Sequence, residues 1–138
     1  MGTETIKVAA GAFLLRKIYN DMFAWGQTDR IRLAIVLDEA HLLAGDLTIP
    51  KLMKEGRKFG ISLLLISQSL DDFRPGVVDN TGMKIVFRLN HPSSRKAAAL
   101  LDSRDSGNVA IALERLQVGE AIVSLAEYPV PVKVRMQG

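Results

Sequence analysis

Leu33-Ala34-Ile35-Val36-Leu37-Asp38-Glu39-Ala40-His41 is the stretch whose reading decides the fold: an unbroken apolar run that ends in two adjacent carboxylates. A run without polar alternation suits a parallel strand covered on both faces. Parallel strands deliver their C-terminal ends to the sheet edge where α/β proteins bind ligands. Asp38 and Glu39 are therefore expected at that edge. Such a pair suits nucleotide hydrolysis, with Asp38 holding a Mg²⁺ that bridges phosphate oxygens and Glu39 polarising the attacking water. The same pair is ordinary at the start of a helix, where the dipole favours carboxylates, and the motif alone does not separate the two.

Working outward, Ile61 to Ile66 is a second apolar run, broken only by Ser62, and ends in Ser67-Gln68-Ser69. It reads as a second buried parallel strand, which brings Gln68 to the same edge as Asp38 and Glu39. A glutamine there orients a water or senses a γ-phosphate; its plainer role is to cap the next turn, which Asp71-Asp72 serves equally well. Between the two runs, Pro50 to Phe59 reads as a helix with proline in its first turn. Lys51, Lys54 and Lys58 share one face of it, and Arg57 is offset near the end, before Gly60. Cations are favoured at a helix C-terminus, so a solvated face accounts for them; a track for a phosphate backbone is the alternative.

Upstream, Val8, Ala12, Leu15, Tyr19 and Met22 recur at the spacing of one helical face, with Arg16, Lys17, Asn20 and Asp21 opposite. This predicts an amphipathic helix from about Ile6 to Trp25, with Met1 to Thr5 as an unstructured lead-in. Downstream, Arg74-Pro75-Gly76 and Asp79-Asn80-Thr81-Gly82 are loop signals, and Met83 to Leu89 reads as a third strand. Helices are expected from Pro92-Ser93-Ser94 to Leu101 and from Ser106 or Asn108 to Leu116. Glu120 to Ala126 and Val130 to Met136 then form an antiparallel hairpin.

The 138 residues, 48% of them hydrophobic, suffice for one domain with its own core. There is no cysteine, which excludes disulfides, a thiol nucleophile and thiolate metal sites, and fits a reducing cytoplasm. No apolar run reaches the roughly 18 to 20 residues needed to span a bilayer. A net charge of +3 permits polyanion binding without demanding it. His41 and His91 lack the spacing of metal ligands, and no Ser-His-Asp arrangement is visible.

Taken in order, Ile35-Val36-Leu37-Asp38-Glu39-Ala40-His41, Glu55-Gly56-Arg57-Lys58-Phe59-Gly60-Ile61 and Leu65-Ile66-Ser67-Gln68-Ser69 resemble the second half of the HerA/FtsK-type P-loop ATPases. The likeness is to the HerA branch in particular. It continues through Lys84 to Leu89 and Gly119 to Ser124. It implies an α/β fold: a partial P-loop NTPase core, mainly parallel, with flanking helices and the C-terminal hairpin. It also implies that Asp38 is the Walker B magnesium aspartate, Glu39 the catalytic glutamate and Gln68 the polar sensor. Arg57 is similar to the arginine finger that this family inserts into a neighbour's nucleotide site. ATP with Mg²⁺, a homo-oligomeric hexameric ring, double-stranded DNA, a nuclease partner of the NurA type and a cytoplasmic location without a membrane are further implications. A conjugation or type IV secretion ATPase shares these motifs. A non-catalytic assembly module that keeps only the fold is the remaining alternative.

One departure is large. No Gly-x-x-x-x-Gly-Lys-Ser/Thr occurs among these residues, so the backbone cradle and lysine for the β and γ phosphates are not encoded in them. The chain is accordingly expected to be the C-terminal part of an ATPase core, a fragment or one product of a split gene, inactive by itself. In the family the phosphate-loop strand lies between the strands corresponding to Ile61–Ser67 and Met83–Leu89. Those two are expected to pair directly, or to leave a gap that another chain fills.

Overall fold

In the computed structural model, which describes residues 2–74 and 76–137, the central apolar run forms strand β1, Leu33–Leu37. It pairs in parallel with β2, Ile61–Leu65, in a register running from Leu33↔Ile61 to Leu37↔Leu65. Helix α1, Thr3–Trp25, lays Leu15 and Met22 into the core, with Ile18 and Tyr19 partly buried beside them. That stripe follows the predicted periodicity. Helix α2, Thr48–Glu55, adds Ile49 and Leu52. Leu15, Met22 and Leu52 are almost wholly removed from water, each contributing about 1.5–3 kcal/mol of transfer free energy. Ile35, Leu37, Leu63 and Leu65 face this cluster from the sheet.

The other face of the β1–β2 sheet is bare. Val36 is 57%, Leu64 51% and Ile66 44% exposed, so the expectation of a strand covered on both faces is corrected. Alternation was masked because Val36, Leu64 and Ile66 make the open face largely apolar too, although only the other face has helices against it.

Helix α1 begins at Thr3, where the Ile6 N–H donates to the Gly2 carbonyl at 3.3 Å, so Thr3 to Thr5 are helical instead of a lead-in. Met1, Pro75 and Gly138 lie outside the described residues. The basic segment is α-helical only to Glu55; Gly56–Phe59 tightens into a 3₁₀ turn. Gly56 is closely packed there: an added Cβ would lie 3.3 Å from the Ile61 Cβ. Gly60 then reverses the chain at φ +78°, and its carbonyl accepts from the N–H groups of Arg32 and Leu33 at 2.7 and 3.2 Å.

The chain divides after Asn80 into two compact units. In the second, β3 (Met83–Val86), β4 (Glu120–Leu125) and β5 (Val132–Arg135) form an antiparallel sheet in the order β3-β4-β5. Helices α3 (Ser93–Leu101) and α4 (Ser106–Arg115) bury Ala97, Ala98, Leu101 and Leu113. The predicted hairpin is β4–β5. Here too one sheet face is open, with Met83, Ile85 and Val132 about half exposed. Among the described residues, parallel pairing is confined to β1 and β2. The direct pairing expected between residues 61–67 and 83–89 is not formed: β2 and β3 belong to different sheets, and β3 takes β4 as its partner.

Candidate nucleotide-hydrolysis edge

The β1–β2 ladder does not stop where the strands do. The Ile66 N–H donates to the Leu37 carbonyl and the Ala40 N–H donates to the Ile66 carbonyl, both at 2.9 Å. These two bonds clamp the loop at Asp38-Glu39 against the loop at Ser67-Gln68. Asp38, Glu39 and Gln68 therefore sit at one sheet edge, all exposed.

The turn itself is strained. Glu39 has φ 53° and ψ 47°, the left-handed region that costs a residue with a Cβ roughly 1–3 kcal/mol. It is held there by its own neighbour, because the Glu39 N–H donates to Asp38 Oδ1 at 2.9 Å. Ala40–Leu43 follows as a short 3₁₀ turn. The acidic pair thus ends a strand without starting an α-helix, which weakens the helix-start reading of these carboxylates. Asp38 Oδ2 has no hydrogen bond among the described residues and is open to a cation. Magnesium asks of a protein one or two carboxylates, with water and phosphate oxygens completing its shell, and this donor set fits that demand.

Gln68 does not cap the following turn. Ser69 does, its Oγ accepting from the Asp71 N–H at 3.2 Å. The Gln68 side chain makes no hydrogen bond among the described residues. Beside it, the Ser67 hydroxyl donates to Asp72 Oδ2 at 2.6 Å. Sequence reasoning missed this pair and the strained backbone of Glu39. It also gave the cap to Gln68 or Asp71-Asp72 and missed Ser69, although a serine before an acidic first turn is the usual signal.

Arg57 lies elsewhere. It belongs to the turn that enters β2, whereas Gln68 follows the end of that strand. Five residues at roughly 3.3 Å each separate the two ends by about 16 Å. Within one chain, the fold does not bring Arg57 to Asp38 and Glu39. The guanidinium is exposed and has no partner among the described residues. Lys51 is exposed, and its Nζ lies 5.7 Å from the Tyr19 ring centroid. Lys58 falls in the 3₁₀ turn, beyond the α-helical spacing that would align it with Lys51 and Lys54.

No family model matches the sequence. It is 32% identical over 112 residues to the DNA double-strand break repair helicase HerA of Saccharolobus solfataricus, covering 73% of this chain and 22% of that protein. It is 31% identical over 110 residues to a probable helicase, MJECL08, of Methanocaldococcus jannaschii, covering 75% of this chain and 21% of that one. The chain thus spans about a fifth of the length of the curated relatives it matches. The fold is shared with VirB4 of Thermoanaerobacter pseudethanolicus at a TM-score of 0.74 and 20% identity, over 99% of this chain and 38% of that one. Among the described residues no helix is long and apolar enough to cross a membrane.

Proposed function

This chain belongs to the HerA/FtsK superfamily of P-loop ATPases, and we propose that it is the Walker B-bearing portion of a HerA-like hexameric ATPase that translocates double-stranded DNA in end processing and repair. The observation that carries the reading is the clamped pair of loops at the C-terminal ends of β1 and β2, which gathers two carboxylates and an amide that has no partner among the described residues. In this role Asp38 holds the magnesium ion, which when bound neutralises charge on the phosphate oxygens. The Glu39 carboxylate accepts the proton of the attacking water, and the Gln68 amide orients that water or reads the γ-phosphate. The ATP phosphates need a backbone cradle and a lysine that these residues lack. The bare apolar face of the β1–β2 sheet fits a protein completed by further polypeptide, since a parallel sheet needs both faces covered.

Arg57 serves a neighbouring subunit. Its place at the opposite end of β2 supports action in trans and weighs against action on its own Asp38 and Glu39, so the homo-oligomeric ring is part of the reading. The proposal extends to a nuclease partner of the NurA type and a cytoplasmic location. A conjugation or type IV secretion ATPase is the second reading, favoured by the fold shared with VirB4 over nearly the whole chain. The test is metal dependence in the ATPase assembled with its phosphate loop. Asp38→Asn should raise the Mg²⁺ concentration needed for turnover while metal-free nucleotide binding stays unchanged. An unaltered Mg²⁺ requirement would remove Asp38 from the site.

A further inference from the structure

Ser67 has one hydroxyl proton and two acceptors near it: Asp72 Oδ2 at 2.6 Å and the Ser69 carbonyl at 3.3 Å. A contact that short to a carboxylate takes the proton, because hydrogen bonds to charged oxygen are the stronger kind. The Ser67 oxygen remains free to accept, and the Ser69 N–H reaches it at 3.4 Å. On the far side, the Ser69 hydroxyl accepts from the Asp71 N–H. Both serine side chains that flank Gln68 are thus tied by hydrogen bonds, and the Gln68 amide is left with no partner among the described residues. One residue before this circuit, the Ile66 N–H donates to Leu37 and its carbonyl accepts from Ala40, the residues on either side of Asp38-Glu39.

We infer that Asp72 is a positioning residue: through the Ser67 hydroxyl it holds the Gln68 turn in register with Asp38 and Glu39, so that the amide meets a water or phosphate oxygen at a fixed place. The inference rests on the proposed role of Gln68. A freely hinging Gln68 would still reach the edge but would spend most of its time misaligned, and misplacement by about 1 Å is known to cost up to 10²-fold in rate. The tie acts on placement, not on affinity.

The test uses the 138-residue chain and the ATP-hydrolysing assembly together. In the chain, the backbone order parameter of Gln68 should lie near 0.85 and fall below about 0.6 in Asp72→Ala and Ser67→Ala. In Asp72→Asn it should stay high, because the amide oxygen also accepts the serine proton. Unchanged exchange protection at the Ile66 and Ala40 amides shows that the sheet is intact. In the assembly, Asp72→Ala should lower kcat about 10- to 100-fold with the nucleotide KM unchanged. Asp72→Asn should recover most of that loss, and Ser67→Ala/Asp72→Ala should be no worse than either single change. A Gln68 amide equally ordered in Asp72→Ala, or additive losses in the double variant, would overturn the inference. A Gln68→Ala assembly with full turnover would instead strike at the role given to Gln68, leaving the tie intact in the order parameters.

Discussion

Replacing Gly60 with alanine tests how the basic segment is joined to the start of the parallel sheet. At φ +78° an alanine pays the left-handed penalty of roughly 1–3 kcal/mol. Its Cβ would also meet the Arg30 carbonyl oxygen at 2.5 Å and the Thr28 methyl at 2.8 Å. The backbone at Arg30 must therefore retreat. That motion strains the 2.7 and 3.2 Å bonds from Arg32 and Leu33 to the Gly60 carbonyl, each of which contributes about 1 kcal/mol. A total of about 3 kcal/mol is expected from these terms. With a urea slope of about 1.5 kcal/mol/M, the midpoint should fall by about 2 M. Trp25, the single tryptophan, sits at the end of α1 and supplies the fluorescence signal. Gly45→Ala is the control, because nothing lies within 4 Å of its added Cβ, and it should shift stability by no more than about 0.5 kcal/mol. Coincident midpoints for the two variants would refute the reasoning.

The remaining expectations concern the site and its electrostatics. Glu39→Gly should be more stable than Glu39→Ala by about 1 kcal/mol, the reverse of their order in a helix, because residue 39 is left-handed; equal urea midpoints would contradict that backbone geometry. Arg57→Ala mixed with Glu39→Gln in the assembled ATPase should recover some of the activity that each variant lacks, through interfaces that pair an intact arginine with an intact glutamate; a strictly additive loss would place Arg57 in cis. Burial pushes the Asp46 carboxyl up, but hydrogen bonds from Thr48 and the Arg16 charge outweigh it and hold the pKa below its ordinary value. The Glu120 carboxyl is lowered by the Gln117 N–H first and then by Lys133. Both folded-state values lie below the unfolded ones, so their stabilisation is present above about pH 4 and is lost as pH falls through the lower folded-state values. Asp46→Asn should flatten the acid limb of midpoint against pH, and a slope equal to wild type would show that Asp46 is not responsible.

Much of this fold was legible in the residues alone. The two apolar runs, the second broken only by Ser62, located β1 and β2 because a short apolar segment closed by polar residues fits a buried strand better than a core helix. Their parallel pairing then put Asp38, Glu39 and Gln68 at one edge. The same property misled on coverage: Ile35 and Val36 are both apolar, yet one faces the core and the other is open. Pairing of β3 was not readable, since Met83 to Val86 has no local feature that chooses between a parallel and an antiparallel neighbour. The reach of α1 back to Thr3 was missed because a helix end without apolar periodicity leaves no pattern. Nothing in the composition announces a left-handed glutamate, because backbone strain is imposed by the clamps on either side of it and not by residue type.

Hydrolysis of ATP by this chain, alone and joined to the polypeptide that carries a phosphate loop, tests the central claim most directly. The account predicts no Mg²⁺-dependent turnover from the 138 residues by themselves, and turnover when the loop is supplied. In Glu39→Gln that turnover should fall about 10²- to 10⁴-fold while nucleotide remains bound. Magnesium-dependent hydrolysis by the isolated chain that survives Asp38→Asn, or full turnover of the joined Glu39→Gln protein, would contradict it.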